Sequence, residues 1–371
     1  MAGFQASPCV FAEIPARKQP SPYQAWGYQP WWMHANWPAI NLGLWDRALF
    51  FELQVEANGD IGNADALPSQ WREMGRAASR CGSAFDLTFT LFDERKFEQL
   101  FSFGVARDKL LHNVLTLTES AGAMGVHLDF EIYGRVNEES VKGLRQFIAR
   151  LHSSLRQSSP ERMLSVFGAV GAAQDLYDRA TLKNIDYVVI QGYDAHWKSG
   201  PSAGPVAPLK GRHKLTWEKS LQHYLQLGAE RSRLLFSLPY YGYEWPVQSE
   251  APGSATTAAG QEITYAPVPR EQVPKISLSA QEQGKRYGVS RDPETGSPYY
   301  TYKDAQGTWR QGWFEDRASL AEKLAFIKRE RLAGAAAFPL GYDAGNFDGL
   351  LASAFGKRED CPAGGASGKT P

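Results

Sequence analysis

The sequence predicts a single (β/α)8 barrel carrying a small β-rich insertion after its seventh strand. Three observations lead there. Eight short β-rich runs alternate with amphipathic, helix-like stretches, and repeated strand-then-helix order implies parallel strands closing on themselves. The runs are apolar at successive positions, as strands covered on both faces must be. The chain has 371 residues, 43% of them hydrophobic, which holds a barrel of about 250 residues with room for insertions. Length alone would equally fit two ordinary domains.

The eight candidate strands are Ala25–Tyr28, Ala48–Leu53, Ala84–Leu91, Gly125–Glu131, Leu164–Val170, Tyr187–Tyr193, Leu234–Pro239 and Ala335–Leu340. Between the fourth and fifth, Glu139–Gln157 spaces Val141, Leu144, Phe147, Ile148 and Leu151 at helical period. After the seventh strand the rhythm breaks. From Pro246 to about Gly312 the chain is rich in Pro, Gly, Ser and Thr, then shows hairpin-like pieces: Lys285–Val289 and Tyr299–Lys303 flank a P-E-T-G-S turn, and Thr308–Trp313 follows Asp304–Gly307. This reads as an insertion on the strand C-terminal side, where barrel active sites sit. Residues 1–20 and 357–371 read as tails, which leaves the barrel at 21–356, with its insertion about 246–312.

Forty Lys plus Arg balance forty Asp plus Glu, so no basic field recruits nucleic acid or an anionic membrane. No apolar run approaches the ~18 residues that span a bilayer. Eleven Trp and sixteen Tyr suit either a large barrel core or a cleft where ring faces stack on sugars. The three cysteines, Cys9, Cys81 and Cys361, argue against a disulfide framework, although a Cys9–Cys361 bridge joining the termini stays open. His34, His196, His213 and His223 lack ligand spacing, so neither a metal nor a cofactor is expected. Trp31, Trp32 and Trp37 follow the first strand as either a sugar platform or loop anchors, and Asp86 is a candidate inward-facing support on the third.

The chemistry concentrates in Gly125-Val126-His127-Leu128-Asp129-Phe130-Glu131. On a strand, His127, Asp129 and Glu131 share one face while Val126, Leu128 and Phe130 share the other. The apolar set meets the outer helices, which leaves the ionisable set inside the barrel. Two carboxyls so placed cannot both ionise freely, and one held protonated can protonate a leaving-group oxygen. An acidic pair that only binds Arg or Lys stays open at this point.

This segment resembles the fourth-strand signature of glycoside hydrolase family 18, D-G-x-D-x-D-x-E. Gly125, Asp129 and Glu131 match it; Met124 and His127 stand at its first two Asp positions, and Phe130 stands at its common Trp. Phe130 occurs in the branch resembling spore-cortex and peptidoglycan glucosaminidases. Gln191-Gly192-Tyr193-Asp194 resembles M-x-Y-D; Ser237 to Trp245 resembles G-x-P-x-Y-G-x-x-W; Gly334 to Asp343 resembles G-x-x-x-W-x-L-G-x-D with Phe338 at the Trp; and Trp26-Gly27-Tyr28 is similar to the first-strand G-Y. The landmarks run in family order from residue 26 to residue 343.

The resemblance implies retaining, substrate-assisted cleavage of β-1,4 bonds next to N-acetylglucosamine, in chitin, chitooligosaccharide or peptidoglycan. Family 18 departs from the usual two-carboxylate scheme. It implies Glu131 as acid and later base, Asp129 orienting the acetamide, Tyr193 donating to its carbonyl, and Asp194 binding the distorted sugar. Phe338 would be the floor, with Tyr28, His127, Gln191 and Tyr241 as further binding residues. His127 at an Asp position leads us to expect a pH dependence through its imidazole, beside Asp129. A non-catalytic chitinase-like lectin is the alternative, and an unrelated barrel enzyme a third. The expected partner is an N-acetylglucosamine glycan, the expected state a monomer, and the expected location the cell exterior or envelope, although residues 1–20 show no export signal.

Overall fold

The computed structural model describes residues 21–269, 273, 276–357 and 361; residues 1–20, Cys9 included, lie outside it. The strands are β1 Gln24–Pro30, β2 Arg47–Gln54, β3 Ala84–Leu91, β4 Gly125–Phe130, β5 Met163–Gly168, β6 Tyr187–Ile190, β7 Leu234–Pro239, β8 Tyr241–Val247, β9 Gln261–Thr264, β10 Ser290–Arg291, β11 Pro298–Lys303, β12 Trp309–Trp313 and β13 Gly334–Phe338. The helices are α1 Pro68–Arg80, α2 Glu94–Ser102, α3 Gly104–Ser120, α4 Glu138–Ser158, α5 Arg179–Leu182, α6 Trp217–Leu227, α7 Ala280–Tyr287, α8 Arg317–Arg329 and α9 Asp348–Phe355. Strands β1 to β7 and β13 close a parallel barrel in the order β1-β13-β7-β6-β5-β4-β3-β2, so all eight expected runs form barrel strands.

The alternation on β4 sorts its side chains as the pleat requires. Val126, Leu128 and Phe130 are buried against the helical layer, where Phe101 of α2 meets both Phe130 (centroids 5.8 Å apart) and Phe147 of α4 (5.7 Å). Burying each such ring contributes about 1.5–3 kcal/mol. Helix α4 starts where Asn137 accepts a hydrogen bond from the Ser140 N–H (2.8 Å), satisfying an otherwise unpaired first-turn donor.

The interior next to the start of β4 is closed by an ion pair. Arg47 of β2 holds Asp86 of β3 through two bonds of 2.5 and 2.6 Å and also donates to the Met124 carbonyl. Asp86 faces Gly125 in register, and a Cβ at Gly125 would stand 2.6 Å from the Asp86 carboxylate and 2.7 Å from the guanidinium. Glycine there makes room for the pair.

The structure departs from the sequence expectations in three places. First, no α-helix joins β1 to β2; three single 3-10 turns do, at Trp31–Met33, Trp37–Ala39 and Leu42–Leu44, because Pro38 and Gly43 interrupt a short span. Second, Lys285–Val289 is not a hairpin strand. Its first residues complete α7, which Ser279 nucleates by accepting from the Glu282 N–H (3.3 Å) and which Gly288, at φ 82°, ends. Third, Cys361 is bridged to Cys81, Cα atoms 5.7 Å apart. Hydrogen bonds from Gly43 N–H to the Cys361 carbonyl (3.3 Å) and from Cys361 N–H to Asn41 (3.2 Å) fix the same end.

The insertion forms a separate five-stranded sheet in the order β10-β11-β12-β8-β9. Strand β8 begins two residues after β7 ends, so the sheet stands directly over the strand C-terminal face. Its alternation divides the side chains between two sites. Glu244 turns into the insertion, accepting from Tyr300 (2.8 Å), Tyr302 (3.3 Å) and Gln261 (3.0 Å), while Tyr241 and Tyr243 turn toward the barrel mouth.

Candidate active site

A cleft of about 210 Å³ opens at that mouth, lined by Asp129 and Glu131 from the end of β4, Tyr193 and Asp194 following β6, Tyr28, Phe338 and Tyr241. Seven of the nine residues that the family resemblance assigned to the site therefore share one cavity, and Trp31, Trp32, Trp37 and Asp86 lie outside its lining. Its floor is aromatic: Phe338 lies 5.2 Å from Phe51, 5.8 Å from Tyr28, 6.0 Å from Tyr193 and 6.3 Å from Tyr241, ring centre to ring centre. Such rings give an apolar plate against which a pyranose face can settle.

The carboxyls above it are strongly perturbed. Burial pushes Asp129 well above the usual carboxylate range, and the charges of Glu131 and Glu52 push the same way. Burial likewise raises Glu131 to about 7; Asp194 adds to the shift and a hydrogen bond from Tyr133 opposes it. At neutral pH a proton is thus held in the Asp129–Glu131 pair, as two close carboxyls in low dielectric require. Asp129 Oδ1 is buried, with no hydrogen-bond partner among the described residues. It is an acceptor ready for a donor in the cleft.

Asp194 is aimed by its backbone. It adopts φ 62°, a left-handed conformation uncommon outside glycine, and its Oδ1 accepts from Tyr241 (2.9 Å) and Tyr243 (3.2 Å) of the insertion. Burial raises its carboxyl to about 6, with the two phenols opposing. The insertion also contributes Glu262, which burial and Asp194 push up to about 7.

Two residues lie elsewhere than expected. His127 sits below the cleft, fully buried, its Nε2 2.9 Å from the Tyr28 hydroxyl and its Nδ1 2.8 Å from Ser165 Oγ. Neither nitrogen bonds Asp129, and burial drives the imidazole down to about 3. It is neutral throughout the working range, which overturns the expected titration through His127. Gln191 also lies outside the lining. Its Oε1 accepts from the Val170 N–H (3.2 Å), and its amide lies beside the Tyr133 hydroxyl.

Sequence reasoning missed Phe51, Phe167 and Glu262 in the lining and left Tyr243 open between core and cleft, and it is to the cleft that Tyr243 belongs. Phe51 lies four residues beyond Arg47 on β2, so alternation from the inward Arg47 face points to it, while the outward Phe50 packs on Trp71. Glu262 comes from an insertion strand with no local signal of where it docks.

Comparison with known proteins agrees with this geometry. The family model described as Glycosyl hydrolases family 18 matches residues 90–343. The Bacillus subtilis protein YdhD, named as a sporulation-specific glycosylase, is 26% identical over 306 residues, which cover 78% of this chain and 64% of that protein. The cortical fragment-lytic enzyme of Bacillus anthracis is 21% identical over 301 residues, 79% of this chain and again 64% of that enzyme. The chain therefore spans just under two thirds of these relatives' length. The Cycas revoluta GH18 chitinase, solved with (GlcNAc)3, superposes with a TM-score of 0.75 at 17% identity, over 89% of this chain and 99% of that one; at that identity the likeness is one of fold.

Proposed function

Because the chain belongs to the family 18 glycosyl hydrolases, we propose that it is a retaining hydrolase of β-1,4 bonds next to N-acetylglucosamine, working by substrate-assisted catalysis. The observation that carries this is the buried Asp129–Glu131 carboxyl pair at the cleft, with one buried oxygen, Asp129 Oδ1, left without a partner among the described residues.

Glu131, neutral below about pH 7, donates its proton to the glycosidic oxygen as the bond to the anomeric carbon breaks. The substrate's own acetamide oxygen forms the new bond to that carbon, so the nucleophile is already in place and little orientational freedom has to be lost. Positive charge then builds on the acetamide nitrogen. Asp129 accepts its N–H and stabilises a charge that exists only from the transition state onward. The Tyr193 hydroxyl donates to the acetamide oxygen and holds it near the anomeric carbon, while Asp194 binds the sugar hydroxyls and Phe338 carries its apolar face. In the second half, Glu131, now a carboxylate, takes a proton from water, which attacks the same carbon and reopens the ring with retained configuration. No step calls for a metal or a cofactor.

The glycan is chitin-like or peptidoglycan-like; both present the acetamide that the scheme needs. Release of 4-methylumbelliferone from di- and tri-N-acetylchitooligosaccharide conjugates, beside digestion of peptidoglycan fragments, tests the reading. Turnover abolished in Glu131→Gln is expected. Wild-type protein that binds chitooligosaccharides tightly yet cleaves neither substrate would instead identify a lectin.

A further inference from the structure

Tyr133 lies two residues beyond the catalytic acid, about half exposed, and its hydroxyl donates to Glu131 Oε2 at 2.9 Å. What fixes the direction of that bond is Gln191. Its carbonyl oxygen is committed to the Val170 N–H (3.2 Å), which leaves its amide N–H2 as the group turned toward the neighbouring Tyr133 oxygen. An N–H2 group on that side disfavours a phenol proton there, so the hydroxyl turns its proton toward Glu131. Gln191 thus stands where the related motif has Met, and it uses its extra polarity to orient a neighbour and not to touch sugar.

We propose that Tyr133, oriented by Gln191, is a positioning residue for the acid, occupying Glu131 Oε2 so that Oε1 carries and delivers the proton. The idea rests on Glu131 being the proton donor of the proposed reaction. As the proton leaves Oε1 the carboxyl gains a full negative charge, and a donor already in place on Oε2 strengthens at that moment. The other ionisable groups around the carboxyl are Asp129 from β4, Asp194 after β6, Tyr28 from β1, Tyr193 after β6, Tyr177 from the loop after β5 and Tyr224 from α6. None of these is cationic. Tyr133 is the group that hydrogen-bonds Glu131 and favours its ionised form.

The test is Tyr133→Phe, which keeps the ring on a half-exposed site and removes only the hydroxyl, beside Gln191→Met. In protein labelled with 13C at glutamate carboxyls, the Glu131 resonance is assigned by its loss in Glu131→Gln, and its titration midpoint needs no turnover to be read. Tyr133→Phe should raise that midpoint by about half to one pH unit, and Gln191→Met should raise it by less, because the phenol remains. In turnover, Tyr133→Phe should lower kcat by roughly tenfold with KM within about twofold, and should move the alkaline limb of the kcat profile upward by the same half to one pH unit. A Glu131 midpoint that does not move overturns the proposal, whether or not the protein is active. Wild-type protein without turnover, in contrast, counts against the hydrolase reading itself.

Discussion

Replacing Glu131 by Gln should make the fold more stable, and increasingly so as pH rises. An ordinary Glu ionises near pH 4.3 in an unfolded chain, whereas Glu131 in the folded cleft ionises near 7. A carboxyl whose folded value lies above its unfolded one favours the folded state fully below pH 4.3; that contribution is lost as pH climbs toward 7 and stays lost beyond. Every tenfold change in proton affinity between the two states corresponds to about 1.4 kcal/mol, so the full difference would come to just under 4 kcal/mol for a sealed site. Glu131 lines an open cleft, and solvent reduces the effect to about 2 kcal/mol. Glutamine keeps the shape and never ionises. Removing the charge also relieves Asp129, whose own ionisation Glu131 opposes, and this acts in the same direction. Urea unfolding of both proteins at pH 5, 6, 7 and 8 measures the difference. The advantage of Glu131→Gln should grow by about 1–2 kcal/mol from pH 5 to pH 8. Parallel stability curves would refute the electrostatic account of the cleft.

Three further outcomes follow from the framework. His127→Asn should leave the shape of the pH–rate profile unchanged, since the imidazole is neutral above about pH 3; loss of one limb would show that it titrates after all. Arg47→Met strands the buried Asp86 carboxylate and should cost about 3–5 kcal/mol, most of it regained in Arg47→Met/Asp86→Leu, as urea unfolding of the single and double variants would show. Cys81→Ser opens a bridge between residues 280 apart in sequence and should cost about 2–4 kcal/mol; an unfolding midpoint identical with and without reductant in the wild type would contradict it.

How much of this was legible in the sequence depended on the range of the interaction. The eight barrel strands were readable because being covered on both faces imposes continuous apolar runs, a local signal. Asp129, Glu131, Tyr193 and Asp194 were readable because each motif lies within one strand end. His127 was placed on the inward face but assigned the wrong neighbours: its partners Tyr28 and Ser165 come from strands 99 and 38 residues away, and nothing local distinguishes them from Asp129. The Arg47–Asp86 pair, the Cys81–Cys361 bridge and the docking of Tyr243 and Glu262 at the cleft are likewise products of closure, formed only when the barrel brings distant segments together. The first connection misled for the opposite reason. A barrel pattern expects a helix there, and local proline and glycine chemistry prevailed.

Substrate-assisted hydrolysis by Glu131 and Asp129 in one cleft stands or falls on the anomeric configuration of the first-formed product. One-dimensional 1H NMR, recorded within seconds to minutes of adding enzyme to a chitooligosaccharide or peptidoglycan fragment, resolves the two anomers before they equilibrate. Attack by the acetamide and then by water should give the β anomer at first, with the α anomer appearing later by mutarotation. Initial release of the α anomer would mean direct attack by water on the opposite face, and would contradict the mechanism.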